Sequence, residues 1–134
     1  MSGGYVTEER VAELKKAAAE RVEAIAGELI GISDWMYEHP ELGHQEREAV
    51  ARLTAALEQH GATIERQTAG METSFRASFD GPVNEPTVAI LAEYDALPEV
   101  GHGCGHNIIA TAAIGAGIAL GALADQLPGR VIFL

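Results

Sequence analysis

The chain has 134 residues, 47% of them hydrophobic, which suits one globular domain with a buried core. Nine Lys and Arg against 20 Asp and Glu give a formal net charge of −11, which argues against nucleic acid or an anionic membrane as partner. One cysteine cannot form an intramolecular disulfide and no secretory signal is visible, so we expect a cytoplasmic protein.

Two amphipathic helices are predicted for the first part of the chain. Thr7 can cap the first, which runs to about Tyr37 before Pro40 disfavours helical geometry. The second is predicted near Glu46–His60, and Gly61 can end it as a C-cap residue. We expect both helices to pack on the sheet formed by the residues that follow.

The pattern then changes to that of β-strands. Ala62–Thr68 and Thr73–Phe79 alternate apolar and polar residues, with Ala69–Gly70 as the hairpin turn between them. Thr87–Ala92 is almost wholly apolar, which favours a central strand covered on both faces. Arg130–Leu134 has the composition of a second buried strand.

Between these two apolar strands, Ile108–Leu127 is predicted to be a helix. Its uncharged part, Ile108–Ala124, is shorter than the ~20 residues that span a bilayer and consists mostly of Ala and Gly, which favours a helix packed inside the protein. Strand, loop, helix and strand form a βαβ unit, whose crossover should be right-handed and whose strands should be parallel.

The fold class is therefore α/β, with helices packed on a mixed, partly parallel sheet. The helices occupy residues 7–60, and the strands with the βαβ unit occupy residues 62–134. Because the last strand coincides with the end of the sequence, we expect an incomplete sheet in a polypeptide cut from a longer one, with no second domain present.

The loop Gly101–Asn107 (Gly-His-Gly-Cys-Gly-His-Asn) is the strongest candidate for chemistry. A thiolate at Cys104 and an imidazole at His106 are ligands that zinc binds well, and glycines let a tight loop turn both toward one point. A small buried cysteine beside a loop histidine with a backbone partner is the structural alternative. A nucleophilic cysteine assisted by histidine is a third, for which a partner two residues away is poorly placed.

Two carboxylates end the first apolar strand, at Glu93 and Asp95. Residues i and i+2 of a strand share a face, so both side chains should point the same way and could bind a metal or orient a ligand histidine. A solvated acidic strand end is the alternative. A third cluster, His39–His44, contains two histidines and a glutamate, but its spacing is typical of a turn that ends a helix.

Three motifs together resemble the aminoacylase and aminobenzoyl-glutamate hydrolase branch of the zinc-type peptidases, peptidase family M20. They are His39–Gly43 (His-Pro-Glu-Leu-Gly), Glu93–Pro98 (Glu-Tyr-Asp-Ala-Leu-Pro) and the loop Gly101–Asn107. The resemblance extends from about Ile30 to Leu134 and corresponds to the N-terminal portion of a catalytic domain. The loop with the cysteine is its most specific part.

The resemblance implies a set of site residues. Cys104 and His106 match metal ligands, with the cysteine able to bridge two ions, and Asp95 matches a carboxylate that supports the site. Glu93 occupies a position that in some branches is a metal-binding histidine, and Asn107 stands where many relatives have aspartate. The cofactor implied is a divalent metal, two ions in the full-length family, zinc above manganese or cobalt, and His102 is expected to be a bystander.

The chemistry implied is hydrolysis of an amide bond in small N-acyl amino acids, dipeptides or aminobenzoyl-glutamate-like substrates. In relatives the general base belongs to a Glu-Glu pair that follows a strand like Arg130–Leu134, and a second domain helps form dimers. We therefore expect the 134-residue chain to be inactive alone. The alternative is a non-catalytic truncated or split-gene product that at most binds metal or a partner chain.

Overall fold

A computed structural model of the chain describes residues 6–134. Within them the chain forms four α-helices and four β-strands. In chain order these are α1 (Glu8–Ala24), α2 (Ala26–Glu38), α3 (Arg47–Gln59), β1 (Thr63–Arg66), β2 (Phe75–Ser78), β3 (Thr87–Ile90), α4 (His106–Gly121) and β4 (Arg130–Phe133). None of the helices in residues 6–134 combines the length and apolar character that crossing a membrane requires.

The strands form a mixed, open sheet in the order β1-β2-β4-β3. β1 pairs antiparallel with β2 and β2 antiparallel with β4, whereas β3 and β4 are parallel, with Val88 opposite Val131. This confirms the predicted α/β class and the parallel strands of the βαβ unit. The chain between β1 and β2 is longer than the predicted hairpin turn, with a short 3₁₀ turn at Thr68–Gly70.

The expectation of a central strand over Thr87–Ala92 was wrong for this sheet. β3 is an edge strand, paired on one side with β4 and with no strand on its other side within residues 6–134. Val88, at its centre, is 57% exposed. A run of apolar residues predicts a strand whose faces pack against other elements. It does not show where in the sequence those elements lie.

The first predicted helix is interrupted. Ile25 separates α1 from α2, with φ −108° and ψ 9°, and its amide N–H donates to the carbonyl of Val22. The Ile25 side chain is buried in the core at this break. Because apolar spacing continues on both sides of the break, periodicity alone could not reveal it.

Helix α4 lies against the sheet and the N-terminal helices. At Gly117 an added Cβ would lie 2.6 Å from Cζ of Phe133 in β4, and at Gly115 it would lie 2.7 Å from a methyl group of Leu29 in α2. Such approach requires residues without a side chain. The glycines of α4 therefore determine how closely α4 packs against β4. This packing also fixes the position of the first residues of α4.

Hydrogen bonds of Glu41 connect the start of α3 to the segment that contains Ala96. Glu41 accepts hydrogen bonds from the backbone N–H groups of Glu48, at 3.1 Å, and Ala49, at 2.8 Å. Its own carbonyl accepts from the N–H of Ala96, at 2.7 Å. The carboxylate thus satisfies two amide groups that the first turn of a helix leaves without partners.

Replacing Glu41 with alanine should therefore destabilise the protein. Loss of this cap is expected to lower the free energy of unfolding by about 0.5–2 kcal/mol, measured by urea denaturation. Glu23→Ala, at an exposed position of α1, is the control and should change it far less. Equal effects of the two substitutions would contradict the capping role.

Candidate metal centre

The candidate site lies where the parallel strands end. Pairing continues past the last residues of both strands, because Leu134 N–H donates to the Ile90 carbonyl and Ala92 N–H donates to the Leu134 carbonyl. The chain then carries Glu93 and Asp95 away from the sheet. In α/β proteins this edge, between the carboxyl end of a strand and the start of the next helix, is where binding sites form.

Two glycines shape the loop that leads into α4. Gly101 has φ 67° and its backbone pairs with Leu97, which closes a tight turn before the motif. Gly105 has φ 82° and immediately precedes α4. Positive φ values favour glycine, so the loop geometry depends on these residues. The result places His106 in the first turn of α4, facing the segment after β3.

His106 lies between the two carboxylates. Its Nδ1 is 2.8 Å from Asp95 Oδ1 and 3.0 Å from the Asp95 carbonyl oxygen. Its Nε2 is 3.0 Å from Glu93 Oε2. Glu93 and Asp95 thus turn toward the same imidazole, as their i, i+2 spacing predicts. When Nδ1–H donates to Asp95, Nε2 and the Glu93 carboxylate present lone pairs to each other, an arrangement that a cation between them would make favourable. A carboxylate that orients a metal-binding histidine does so through Nδ1–H in this way.

Two donor atoms, His106 Nε2 and Glu93 Oε2, lie close enough together to approach one divalent cation. Zinc bonds to imidazole nitrogen and carboxylate oxygen are about 2.0–2.2 Å long, so two such atoms on one tetrahedral ion lie about 3.3–3.6 Å apart. The 3.0 Å separation of His106 Nε2 and Glu93 Oε2 is a little shorter than this. Cys104, on the same loop, is an exposed free thiol. Within residues 6–134, however, no three His, Cys, Asp or Glu side chains converge in a way that could hold an ion.

Two residues of the loop Gly101–Asn107 are buried in ways that the sequence did not predict. Asn107 is buried, and its amide donates to Ser33 Oγ, at 3.0 Å, and to the Ser33 carbonyl, at 3.3 Å. It thereby ties the start of α4 to α2. His102 is 5% exposed, and its buried Nδ1 has no hydrogen-bond partner within residues 6–134.

A cleft of about 400 Å³ opens beside the two carboxylates. Ala92 and Tyr94 line it next to these carboxylates, and the other lining residues come from distant parts of the chain: His44, Glu46, Met71, Thr73 and Ser74. Thr73 Oγ1 donates to buried Glu46, at 2.7 Å, and Tyr94 Oη donates to the Thr73 carbonyl, at 2.5 Å. Burial, and then the charges of Glu46 and Asp95, raise the pKa of Tyr94 to about 12. Tyr94 is therefore a neutral donor at physiological pH.

The histidines of the other clusters have structural contacts. His39 stacks on Trp35, with ring centroids 4.6 Å apart, and its Nδ1 lies 2.9 Å from the Trp35 carbonyl oxygen. His60, at the end of α3, lies 2.9 Å from Glu28 and 3.3 Å from Arg21. The His39 contacts, at the end of α2, agree with interpreting His39–His44 as a helix-ending turn.

Comparison with known proteins gives relatives along most of the chain. It is 38% identical over 133 residues to mouse Xaa-Arg dipeptidase, a match that covers 90% of this chain and 31% of that protein. It is 34% identical over 125 residues to one of the subunits of p-aminobenzoyl-glutamate hydrolase from Escherichia coli, covering 81% of this chain and 26% of that one. The chain thus spans between a quarter and a third of the length of these relatives. No protein-family model matches it.

Solved structures show the same relationship. A dinuclear metal-binding peptidase of the M20 family from Bacillus subtilis superposes with a TM-score of 0.76 at 29% identity, covering 83% of this chain and 34% of the other. An aminohydrolase-like protein from methicillin-resistant Staphylococcus aureus superposes with a TM-score of 0.71 at 25% identity, covering 88% of this chain and 33% of that one.

Proposed function

We propose that the chain supplies part of a metal centre that hydrolyses amide bonds, because it belongs to the M20 family of metallopeptidases and amidohydrolases. It corresponds to the N-terminal portion of that family's fold. The observation that carries the proposal is His106, held between Asp95 and Glu93 at the start of α4. The substrates proposed are small N-acyl amino acids, dipeptides or aminobenzoyl-glutamate-like amides.

Each site residue has a proposed role. Cys104 and His106 are the metal ligands, Glu93 adds a carboxylate oxygen beside His106 Nε2, and Asp95 holds His106 in the tautomer that leaves Nε2 free. Zinc is the preferred ion because thiolate and imidazole both suit it, and manganese or cobalt could replace it. A bound divalent cation supplies Lewis acidity toward an amide carbonyl and acidifies water.

The chain also provides a place for substrate. The cleft beside Glu93 and Asp95, of about 400 Å³, has room for a small amide. Tyr94 helps to form its wall, and the Tyr94 hydroxyl group donates to the Thr73 carbonyl. The general base is proposed to come from the Glu-Glu pair that the family resemblance places after β4. We propose a cytoplasmic protein that forms a homodimer in its full-length form, as the family resemblance implies.

The activity test compares two lengths of protein. The 134-residue chain, given zinc or manganese, is expected to hydrolyse neither aminobenzoyl-glutamate nor a dipeptide above background, because it lacks the proposed base. Protein expressed with whatever coding sequence follows codon 134 is expected to show metal-dependent turnover that His106→Ala abolishes.

Other outcomes separate the alternatives. Turnover by the 134-residue chain would contradict the proposed source of the base. A longer protein that binds metal yet hydrolyses none of the three substrate classes would favour the non-catalytic alternative, a product that binds only metal or a partner chain.

A further inference from the structure

The outer edge of β3 presents backbone groups to which no strand is paired. The N–H of Leu134 donates to the Ile90 carbonyl, and the N–H of Ala92 donates to the Leu134 carbonyl, so the even-numbered residues bond to β4. Backbone groups alternate in direction along a strand, so those of Ala89 and Leu91 point away from β4. Within residues 6–134, no strand lies on that side. This edge is therefore a template for one more strand.

The same two strands carry apolar side chains on the face of the sheet opposite α4. Phe133 of β4 lies against Gly117 of α4, so the residues that alternate with Phe133 point to the other face. Leu91 is 65% exposed there and Leu134 is 40% exposed. They belong to an apolar patch formed by paired residues of β3 and β4 and their continuations: Ala89, Leu91, Ile132 and Leu134. Parallel strands this apolar are normally covered on both faces.

The chemistry of this surface argues against a second copy of the chain as its occupant. Pro86–Ala92 contains no charged residue, so the edge suits an uncharged extended segment, but a net charge of −11 opposes association of two identical chains. A second copy paired antiparallel along β3 would extend the sheet. Both apolar patches would then lie on the same side of the joined sheet, and neither would be covered.

A longer polypeptide could supply both the strand and the cover. The chain spans between a quarter and a third of the length of the relatives it matches, so proteins of this family contain further segments that can pack on it. An occupant that belongs to the same polypeptide also avoids the loss of freedom that two separate chains incur when they associate.

The handedness of crossovers identifies the face that such a segment would cover. Connections between parallel strands are right-handed, and α4 makes the connection from β3 to β4 on one face of the sheet. A connection from β4 back to a strand beyond β3 runs in the opposite direction across the sheet. To be right-handed it must cross the opposite face, which is the face that carries the apolar patch.

We propose that the β3 edge and the apolar patch are an interface for one further strand and helix of a longer polypeptide. The strand would be parallel to β3, and the helix would lie on the patch. The direction of the connections would then reverse between β3 and β4, at the sheet edge from which Glu93 and Asp95 extend. Open α/β sheets bind ligands at such reversals. The inference concerns the sheet and does not depend on the proposed metal centre.

Hydrogen exchange of single backbone amides tests the inference. The 134-residue chain is compared with protein expressed with the coding sequence that follows codon 134. In the 134-residue chain, the amides of Ala89 and Leu91 should exchange about as fast as in an unstructured peptide. The Ile90 amide between them faces β4 and should exchange about 100-fold more slowly, since its hydrogen bond opens only with the sheet. In the longer protein all three amides should exchange slowly.

A proline substitution gives a second, independent measurement. Ala89→Pro removes only an N–H that faces away from β4, and proline is tolerated at a free strand edge. It should leave the midpoint of urea unfolding of the 134-residue chain almost unchanged and lower that of the longer protein. Ile90→Pro removes an N–H that faces β4, so this matched control should lower the midpoint of both.

Several results would overturn the inference. They are fast exchange of Ala89 and Leu91 in the longer protein, equal effects of Ala89→Pro in both proteins, or a coding sequence that ends at codon 134. Slow exchange of both amides in a 134-residue chain that sediments as a dimer would identify a second copy as the occupant instead. A longer protein with protected edge amides but no metal-dependent hydrolysis would contradict the proposed function and leave this inference intact.

Discussion

Substituting Cys104 with alanine is expected to weaken zinc binding by roughly 100-fold. Complete four-ligand sites bind zinc with apparent free energies of about 10–16 kcal/mol, so one ligand corresponds to roughly 3 kcal/mol. The thiolate is the softest donor in the loop, and soft donors favour zinc. His106→Ala should produce a loss of the same order, because it removes the only imidazole that Glu93 and Asp95 flank in residues 6–134.

The measurement is zinc content after dialysis, with affinities from chelator competition. His44→Ala is the control, because His44 lines the same cleft but is not one of the proposed ligands. Equal zinc content in the unaltered chain and Cys104→Ala would remove the cysteine as a ligand. The same result for His106→Ala would remove the centre from this loop altogether.

The loss of zinc affinity expected for Cys104→Ala should depend on pH. Metal ligands bind in their deprotonated forms, so protons compete with zinc for the Cys104 thiol and the His106 imidazole. Affinity in the unaltered chain should therefore rise with pH. In Cys104→Ala the competition at the thiol disappears, and the pH dependence should become shallower.

The meeting of two carboxylates could be predicted because Glu93 and Asp95 are close in sequence. Both contact the His106 imidazole, although they lie beyond the end of β3 at Ile90 rather than within the strand. The cleft wall could not be predicted in this way. Thr73 bonds Glu46 across 27 residues and Tyr94 bonds Thr73 across 21, contacts that only tertiary packing brings about.

The fold, like the site, was predictable where it depends on local sequence and not where it depends on distant elements. Apolar runs predicted both strands of the βαβ unit, and their parallel pairing follows from the helix between them. The position of β3 at the sheet edge depends on elements that no local pattern describes. The interruption at Ile25 was equally hidden, because a buried isoleucine suits the core in either conformation. His102 shows the limit most clearly, since its burial and unpaired nitrogen depend on neighbours that the motif does not contain.

The position of the loop Gly101–Asn107 depends on a core contact some distance away, between α4 and β4. Phe133 is fully buried and pairs with Ile90 in β3 and Ala77 in β2. Its ring lies so close to Gly117 that a Cβ there would be 2.6 Å from Cζ. The ring therefore fixes the spacing between β4 and α4, and the first turn of α4 carries His106.

Phe133→Ala is accordingly expected to lower the free energy of unfolding by about 3–5 kcal/mol, the cost of removing a buried aromatic ring and leaving a cavity. Urea denaturation measures it, with Val88→Ala at the exposed centre of β3 as the control. Gly117→Ala should cost about 1–3 kcal/mol through overpacking. Because the clash is with the Phe133 ring, the added methyl group should cost less, or even stabilise, once Phe133 is alanine. Additive effects in that double variant would show that α4 is not positioned by this contact.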